Sequence, residues 1–186
     1  NADYAWAETH LLDEKYQTYS EKYWDKRKIA PSAYLLYLGL DKQLDNFTHH
    51  NLYFHPQWEK HFDDIFKEPQ WPEHFSYYVS CISKTDPDTA IKGGENVFVL
   101  IPVAAGLKDT EETRKQYFDK TIDHMEKLAK ENIRDHIIVK RIFAHNDFSK
   151  RYNAYKGTAL GLAHTLKQTA IFRPRHQSKK VKNVYY

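Results

Sequence analysis

The run Asn96–Val103 restricts the fold more than any other stretch, because it is the strongest strand signal in the chain. Its valine, leucine and isoleucine side chains follow one another without an intervening charge, as in a buried strand. Pro102 lacks a backbone N–H, so its position indicates the edge or the end of that strand. A second apolar run, Ser32–Leu40, is bounded by Pro31 and Asp41 and predicts another buried strand. The core is therefore expected to contain a sheet.

The rest of the chain alternates between shorter strand patterns and amphipathic helices. Further strands are predicted at His50–His55, Phe75–Ser83 and Ile137–Phe143. Helices are predicted at Glu8–Leu12, Glu14–Trp24, Gln57–Lys67, Asp109 to about Asn132, and Asp147–Tyr152. The elements follow the order β-α-β-β-α-β. This order predicts an α+β fold with a mixed, largely antiparallel sheet covered by helices on one face.

Helical spacing also predicts which side chains of three helices share one face. These groups are Tyr16, Tyr19, Tyr23 and Trp24 in the first long helix, Trp58, Phe62, Ile65 and Phe66 facing inward in the second, and Tyr117, Thr121, Met125 and Leu128 in the third.

The segment Asn153–Pro174 contains two glycines, Gly157 and Gly161, among small residues. Apolar residues follow at helical spacing, so the segment is predicted to form a glycine-bearing helix that stops at its proline. Glycines four apart let two backbones, or a backbone and a flat ligand, approach closely because no Cβ intervenes. Tight packing on a neighbouring helix and contact with a ligand are both open from the spacing alone.

Charge and composition exclude several kinds of partner. There are 28 Lys and Arg residues against 25 Asp and Glu, and the net charge of +3 is too small to imply a polyanionic partner. The single cysteine, Cys81, excludes an internal disulfide and fits a reducing, cytoplasmic setting. No apolar run approaches the length of about 18 residues that a membrane-spanning helix requires. Aromatic residues make up 15% of the chain, which suits a core or a cavity built from rings.

The common catalytic and binding motifs are missing from the sequence. The histidines match no metal-ligand spacing, so no metal site is expected. Cys81 lies in an apolar strand pattern without a nucleophile elbow, and Gly93-Gly94 lacks the remainder of a phosphate-binding loop. Lysines and tyrosines interleave near the C-terminus, but without a nucleic-acid-binding motif, and no nucleic acid is expected as a partner. The residues themselves therefore identify no catalytic group, and an apolar ligand suits the aromatic sheet best.

Several stretches taken together resemble the bacterial carotenoid desaturase family, the FAD-dependent phytoene and dehydrosqualene (diapophytoene) desaturases. They follow the family's order and span nearly the whole chain: Asn1–Asp3, Leu36–Lys42, His49–Phe54, Ser83–Pro87, Arg151–Gly157, Gly161–His164, Phe172–Pro174 and Lys182–Tyr186.

The resemblance implies a fragment that comprises mainly the substrate-binding domain of a flavin amine-oxidase-like enzyme. Residues 1–12 would leave the missing FAD domain, residues 13–174 would form the substrate-binding domain, and residues 175–186 would return toward the FAD domain. FAD is expected in the full-length parent, and the fragment alone is expected to bind none and to be inactive.

The activity implied for the parent is dehydrogenation of dehydrosqualene or phytoene, with hydride leaving a saturated carbon for the flavin. The partner is then a long apolar polyene, and peripheral membrane contact is expected because such a substrate lives in lipid. Candidate residues of the substrate tunnel are Tyr34, Leu36, Leu38, Tyr53, Phe98, Leu100, Leu160, Gly161 and Phe172.

Ala2 and Asp3 match a segment that lies close to the cofactor in related flavoproteins, so backbone contact with FAD is expected there. Arg151, His164 and Arg173 also match family positions, without an assigned role. Two alternatives stay open: a polyene isomerase or another flavin amine-oxidase relative, and a non-enzymatic module that binds lipid or nucleic acid.

Overall fold

A computed structural model describes residues 2–186, and these residues form one five-stranded antiparallel sheet with five α-helices. The strands are β1 (Ser32–Leu40), β2 (His50–Tyr53), β3 (Tyr77–Cys81), β4 (Glu95–Val103) and β5 (Ile137–Phe143). The helices are α1 (Tyr4–Trp6), α2 (Glu21–Asp25), α3 (Trp58–Phe66), α4 (Glu111–Ala129) and α5 (His145–Tyr152). The predicted α+β class is confirmed, and a strand is present at each of the five predicted places, one more than the order β-α-β-β-α-β contains.

The sheet has the strand order β2-β3-β4-β1-β5, and every neighbouring pair is antiparallel. The two longest strands pair along their full length, from Ser32 opposite Val103 to Leu40 opposite Glu95. Strand β4 is central, yet it contains Pro102. The pairing of β3 with β4 stops at Leu100, so the missing N–H of Pro102 removes no ladder hydrogen bond on that side.

The main core lies between one face of the sheet and α4. Alternate residues of the two central strands, from Tyr34 to Leu40 and from Val97 to Val103, point into it. Helix α4 covers them with Tyr117, Phe118, Ile122 and Met125. Thr110 caps this helix, accepting a hydrogen bond from the Thr113 N–H at 3.1 Å. Of the four residues predicted to face inward here, Leu128 is the exception and lies exposed.

The N-terminal region does not form the predicted helices Glu8–Leu12 and Glu14–Trp24. It consists of α1, a π-helical turn at Ala7–Leu11, a 3-10 turn at Glu14–Tyr16 and the short α2. The buried Glu8 carboxylate accepts hydrogen bonds from the backbone N–H groups of Thr18 (2.6 Å) and Tyr19 (3.2 Å). These two hydrogen bonds hold Thr18 and Tyr19 in a loop between the 3-10 turn and α2, because a charged carboxylate competes well for free backbone N–H groups.

Helix α3 forms where it was predicted, but of the four residues predicted to face inward only Ile65 is buried. Its buried residues are His61, Asp64 and Ile65, whereas Trp58 and Phe62 are each 55% exposed. Phe66 is also exposed. His61 Nε2 donates to the Pro102 carbonyl at 2.9 Å and its Nδ1 accepts from the Ser76 N–H at 3.1 Å. These polar contacts tie the helix to the end of β4 and leave the aromatic stripe outside.

The predicted glycine-bearing helix at Asn153–Pro174 is wrong. The segment is a loop with 3-10 turns at Tyr155–Gly157, Leu166–Gln168 and Ala170–Phe172. Both of its glycines have a positive φ, +62° at Gly157 and +77° at Gly161, which an α-helix does not accommodate. The loop is fixed instead by hydrogen bonds to residues 28–32, including Ala30 N–H to the Gly161 carbonyl at 2.8 Å.

The two glycines have different surroundings. A Cβ at Gly157 would come within 2.7 Å of the His145 carbonyl oxygen and 2.9 Å of its Cα, whereas a Cβ at Gly161 would meet no atom within 4 Å. Close packing against His145 therefore explains why residue 157 is a glycine. Gly161 is required only for its left-handed backbone conformation.

We expect Gly157→Ala to lower the free energy of unfolding by about 3 kcal/mol, adding overpacking to the penalty of a left-handed backbone. Gly161→Ala is the matched control and should lose only about 1 kcal/mol, the backbone part alone. Urea denaturation of both variants measures the difference. Equal losses would contradict the packing argument.

Two buried histidines are held neutral by their surroundings. Burial lowers the pKa of His61 and of His145 from the ordinary histidine value. In His61 both ring nitrogens are used by the neutral tautomer. In His145, Nε2 donates to the Ala104 carbonyl at 2.7 Å, and Nδ1 is buried with no hydrogen-bond partner in the described part of the chain. A second proton on either ring would place an unpaired donor in the interior.

The chain should therefore lose stability as the pH falls below about 6.5, the ordinary histidine pKa. The unfolded state binds protons first there because the folded-state pKa values are lowered, so the contribution is fully present above that pH. Urea titrations at pH 7.5, 6.5 and 5.5 measure the free energy of unfolding. His61→Gln should show a smaller loss across this range, and an unchanged pH dependence in that variant would argue against His61.

Candidate functional site

The face of the sheet opposite α4 carries a continuous apolar row. The strand register aligns one residue from each strand across the sheet, in the order Leu52, Tyr78, Leu100, Leu35 and Phe143. At ~4.8 Å between strands this row extends for about 19 Å. Antiparallel sheets commonly expose a polar face to water. An apolar row on the second face therefore indicates a surface that holds something apolar.

The next row on this face is mixed. It contains Phe98 and Tyr37, whose rings lie 5.2 Å apart, followed by Arg141 on β5. Tyr37 is 43% exposed, while Phe98 is half-buried. We call Leu52, Tyr78, Leu100, Phe98 and Tyr37 the open face of the sheet.

Helix α5 closes one end of the open face. Phe148 packs edge to face on Phe143, with ring centroids 4.8 Å apart. Together with Ala33 and Leu35 these rings form a second buried cluster, against which Phe98, Leu100 and Ala154 pack. The cluster links the open face to the loop that follows α5.

Beyond α5, the start of the chain and the loop after Tyr155 enclose a cavity of about 260 Å³. We call it the crevice. Its walls include Ala2–Ala5, Trp24, Ile29, Tyr155, Thr158, Leu160–Leu162, Arg173 and Tyr186. An adjoining hollow of about 440 Å³ shares Ala2, Asp3, Thr158 and Gly161 with it and reaches Phe148 and Ala154. Phe148 of α5 therefore borders both the second face of the sheet and the hollow that adjoins the crevice.

Asp3 joins the two segments that form the crevice. One carboxylate oxygen accepts from the Trp6 N–H at 2.9 Å and caps α1, and the other accepts from the Tyr155 N–H. Burial raises the pKa of the Asp3 carboxyl, and these backbone N–H groups act against that rise. Both oxygens are engaged by the protein, so the side chain holds the loop against the N-terminal segment.

The structure separates the predicted tunnel residues into groups. Tyr34, Leu36 and Leu38 are buried in the main core, where the Tyr34 hydroxyl donates to the Arg114 carbonyl at 2.6 Å. Tyr53 is on the same side of the sheet, beside His124. Because successive side chains of a strand point to opposite faces, these residues cannot share a tunnel with Phe98 and Leu100. Ordinary core packing explains their positions.

The remaining candidates lie on the second side. Phe98 and Leu100 are on the open face, Leu160 and Gly161 line the crevice, and Phe172 is exposed on its 3-10 turn. Ala2 and Asp3 line the crevice too. Sequence reasoning missed Leu52, Tyr78, Phe143, Phe148 and Trp24 as part of this region. The alternation of the strands could have indicated Tyr78 and Phe143, but the contributions of α5 and Trp24 depend on tertiary contacts.

The crevice has features that fit part of a flat cofactor. Gly161 presents backbone without a side chain, and no atom lies within 4 Å of its missing Cβ. The indole N–H of Trp24 is buried there with no acceptor among residues 2–186, so a bound group could satisfy it.

A metal ion has no comparable site. Within the described residues, His, Cys, Asp and Glu side chains form no cluster of three that could ligate one.

Among residues 2–186, no helix combines the length and the apolar character needed to cross a bilayer.

Comparison with known proteins adds an independent observation. The chain is 45% identical, over all of its 186 residues, to a carotenoid 3,4-desaturase of Haloarcula japonica. It is 32% identical over its whole length to a zeta-carotene-forming phytoene desaturase of Myxococcus xanthus, and 31% identical over 86% of its length to a lycopene-forming phytoene desaturase of Pantoea ananas. No protein-family model matches the chain.

The chain spans between 33% and 38% of the length of these three relatives. The similarity nevertheless runs from the first residue to the last in two of them, and it includes the segments that form the open face and the crevice. By sequence, therefore, this chain belongs to the carotenoid desaturase family and corresponds to somewhat more than a third of such a protein.

Proposed function

We propose that the full-length protein is an FAD-dependent carotenoid desaturase and that this chain supplies most of its substrate-binding domain, residues 13–174. The observation that carries the proposal is the apolar row across the open face of the sheet, which leads by way of α5 to the crevice. A polyene offers no hydrogen-bonding groups, so binding must come from burial of apolar surface. The uncovered part of this row, from Leu52 through Tyr78 to Leu100, extends for about 10 Å across three strands and supplies such a surface.

The crevice is the proposed place of contact with the cofactor. Carotenoid desaturases are generally FAD-dependent. Removal of hydrogen from a carbon–carbon bond requires an acceptor for the electron pair, and a bound flavin supplies that chemistry. Ala2 and Gly161 would contact it through their backbones, because neither carries a long side chain. Asp3 would hold the two walls together.

The remaining task of this chain is to orient the substrate and exclude water. The second buried cluster, which includes Phe143 and Phe148, fixes the position of the open face relative to the crevice. Holding the reacting bond in one orientation contributes to the rate by itself, without a polar catalytic group. We therefore assign no acid or base among these residues.

Among the named relatives, the carotenoid 3,4-desaturase shares the largest identity, which favours 3,4-desaturation of a carotenoid over desaturation of phytoene. To test this, the full-length gene would be expressed in carotenoid-free bacteria that are supplied with phytoene, dehydrosqualene or lycopene. Desaturated products should absorb at longer wavelength. Bound flavin with no product from any precursor would contradict desaturation, and a product of unchanged mass would indicate an isomerase.

Within the same enzyme, Leu100→Gln should lower kcat/KM roughly tenfold, because a buried leucine contact contributes about 1.5–3 kcal/mol. Leu128→Gln is the matched control, since Leu128 is 56% exposed on α4, across the sheet from the open face. The purified variants are compared in flavin content and in product formation. Equal effects of the two changes would argue against the open face as the substrate surface.

We further propose that the protein contacts membranes through α3. Trp58, Phe62 and Phe66 recur every four residues on its exposed side, and the Phe62 and Phe66 rings lie 4.5 Å apart. Exposed Trp and Phe on one side of a helix are typical of interfacial membrane contact. An apolar substrate dissolved in lipid would then be close to the protein.

Full-length protein should co-sediment with phosphatidylcholine vesicles, and the double variant Trp58→Ser, Phe62→Ser should bind several-fold more weakly, because the rings supply the buried apolar area. Ile91→Ser is the control, since Ile91 is exposed but lies in a loop away from α3. Undiminished vesicle binding by the double variant would exclude this surface.

A further inference from the structure

Most polar side chains that line the crevice are already engaged by the protein. Both carboxylate oxygens of Asp3 accept backbone N–H groups. Thr158 Oγ1 donates to the Ala30 carbonyl at 2.8 Å and accepts from the Gly161 N–H at 3.1 Å. The Tyr155 hydroxyl donates to Asp25 at 2.5 Å, and the Tyr186 hydroxyl donates to Glu8. These groups have little left to offer a ligand.

Three side chains differ from the rest. The Tyr4 hydroxyl forms no hydrogen bond within residues 2–186, and the other two are the nitrogen donors Trp24 and Arg173. Trp24 is only 2% exposed, and its indole N–H has no acceptor in the described residues. Tyr4, Tyr19 and Tyr23 pack around its ring, with centroids 5.1 to 6.4 Å away, so the indole is fixed in place.

Arg173 is the second donor. Its one hydrogen bond within residues 2–186 runs from a terminal nitrogen to the Leu162 carbonyl at 3.3 Å, and no carboxylate there forms an ion pair with it. Arginine carries five N–H donors and keeps its charge at any working pH. Arg173 lines the crevice, and most of its N–H donors have no protein partner within residues 2–186.

A cavity lined by a permanent cation and by an indole whose N–H has no acceptor, with both Asp3 oxygens already occupied, favours a ligand with oxygen acceptors and negative charge. We propose that Trp24 and Arg173 bind an oxygen-bearing, electron-rich group of the cofactor. Such a group is either a phosphate of the dinucleotide or a conjugated carbonyl of the flavin ring. The assignment rests on the proposed function, and it gives Arg173 a role that the sequence comparison alone did not.

The test uses full-length protein from which the flavin has been removed. FAD affinity is measured by flavin fluorescence for wild type, Arg173→Gln, Arg173→Lys and Trp24→Phe, with Arg175→Gln as the matched control. Arg175 is exposed and does not line the crevice. We expect Arg173→Gln to weaken FAD binding roughly 10- to 100-fold, the range of a charge-assisted hydrogen bond. Arg173→Lys should lose less because it keeps the charge.

Trp24→Phe should weaken FAD binding a few-fold, since it removes one neutral donor. Because Trp24 lies in an aromatic cluster, its variant is checked by urea unfolding, and Arg173→Lys carries the test if Trp24→Phe does not fold. Binding of riboflavin, which lacks phosphate, and of ADP, which lacks the flavin ring, distinguishes a ring carbonyl from a phosphate as the acceptor. Weaker riboflavin binding and a lowered flavin midpoint potential support a ring carbonyl. Weaker ADP binding alone supports a phosphate.

Folded Arg173 variants that bind FAD within twofold of wild type would overturn the inference. If the wild type also desaturates carotenoids, the proposed function stands without it. A wild-type full-length protein that takes up no FAD would instead overturn the proposed function itself.

Discussion

The full-length pairing of β1 with β4 is the constraint on which the rest of the structure depends. Once Ser32 is opposite Val103 and Leu40 is opposite Glu95, the two-residue period of a strand assigns every side chain to one of two faces. One set packs under α4 and forms the main core. The other set, which includes Leu35, Leu100 and Phe98, forms an apolar second face. Both strands are apolar along most of their length because both of their faces are covered or carry apolar side chains.

The second face of the sheet is continued by α5 and by the loop that follows it. Helix α5 covers one end of it through Phe148, and the loop after α5 then turns against residues 28–32 and the N-terminal segment. Gly157 permits this turn because its backbone lies against His145, where a side chain would collide. Asp3 holds the other wall. The crevice is thus positioned by this loop, next to α5 and the open face, as the proposed substrate surface and cofactor contact require.

Membership of the carotenoid desaturase family and this geometry support each other. The family is shown by sequence similarity along the whole chain, whereas the geometry shows where the described chain has an uncovered apolar surface and an adjoining cavity. Helix α3 is the instructive exception. Its aromatic stripe looks like a core face by spacing, but polar contacts of His61 decide the orientation and leave Trp58 and Phe62 outside. An amphipathic pattern predicts that a helix has an apolar and a polar face, but it does not determine which face is buried.

The sequence by itself determined the strands, the position of α4 and the family, because apolar runs, periodicity and motif order are local properties of the chain. It did not determine the loop at Asn153–Pro174, since its helical spacing is overruled by two positive φ angles and by hydrogen bonds to residues far away in the chain. Nor could it place Tyr34 and Phe98 on opposite sides of the sheet before the register was known. The crevice belongs to the tertiary structure alone, because its walls come from residues 2–5, 24, 29, 155, 158, 160–162, 173 and 186, which only folding brings together.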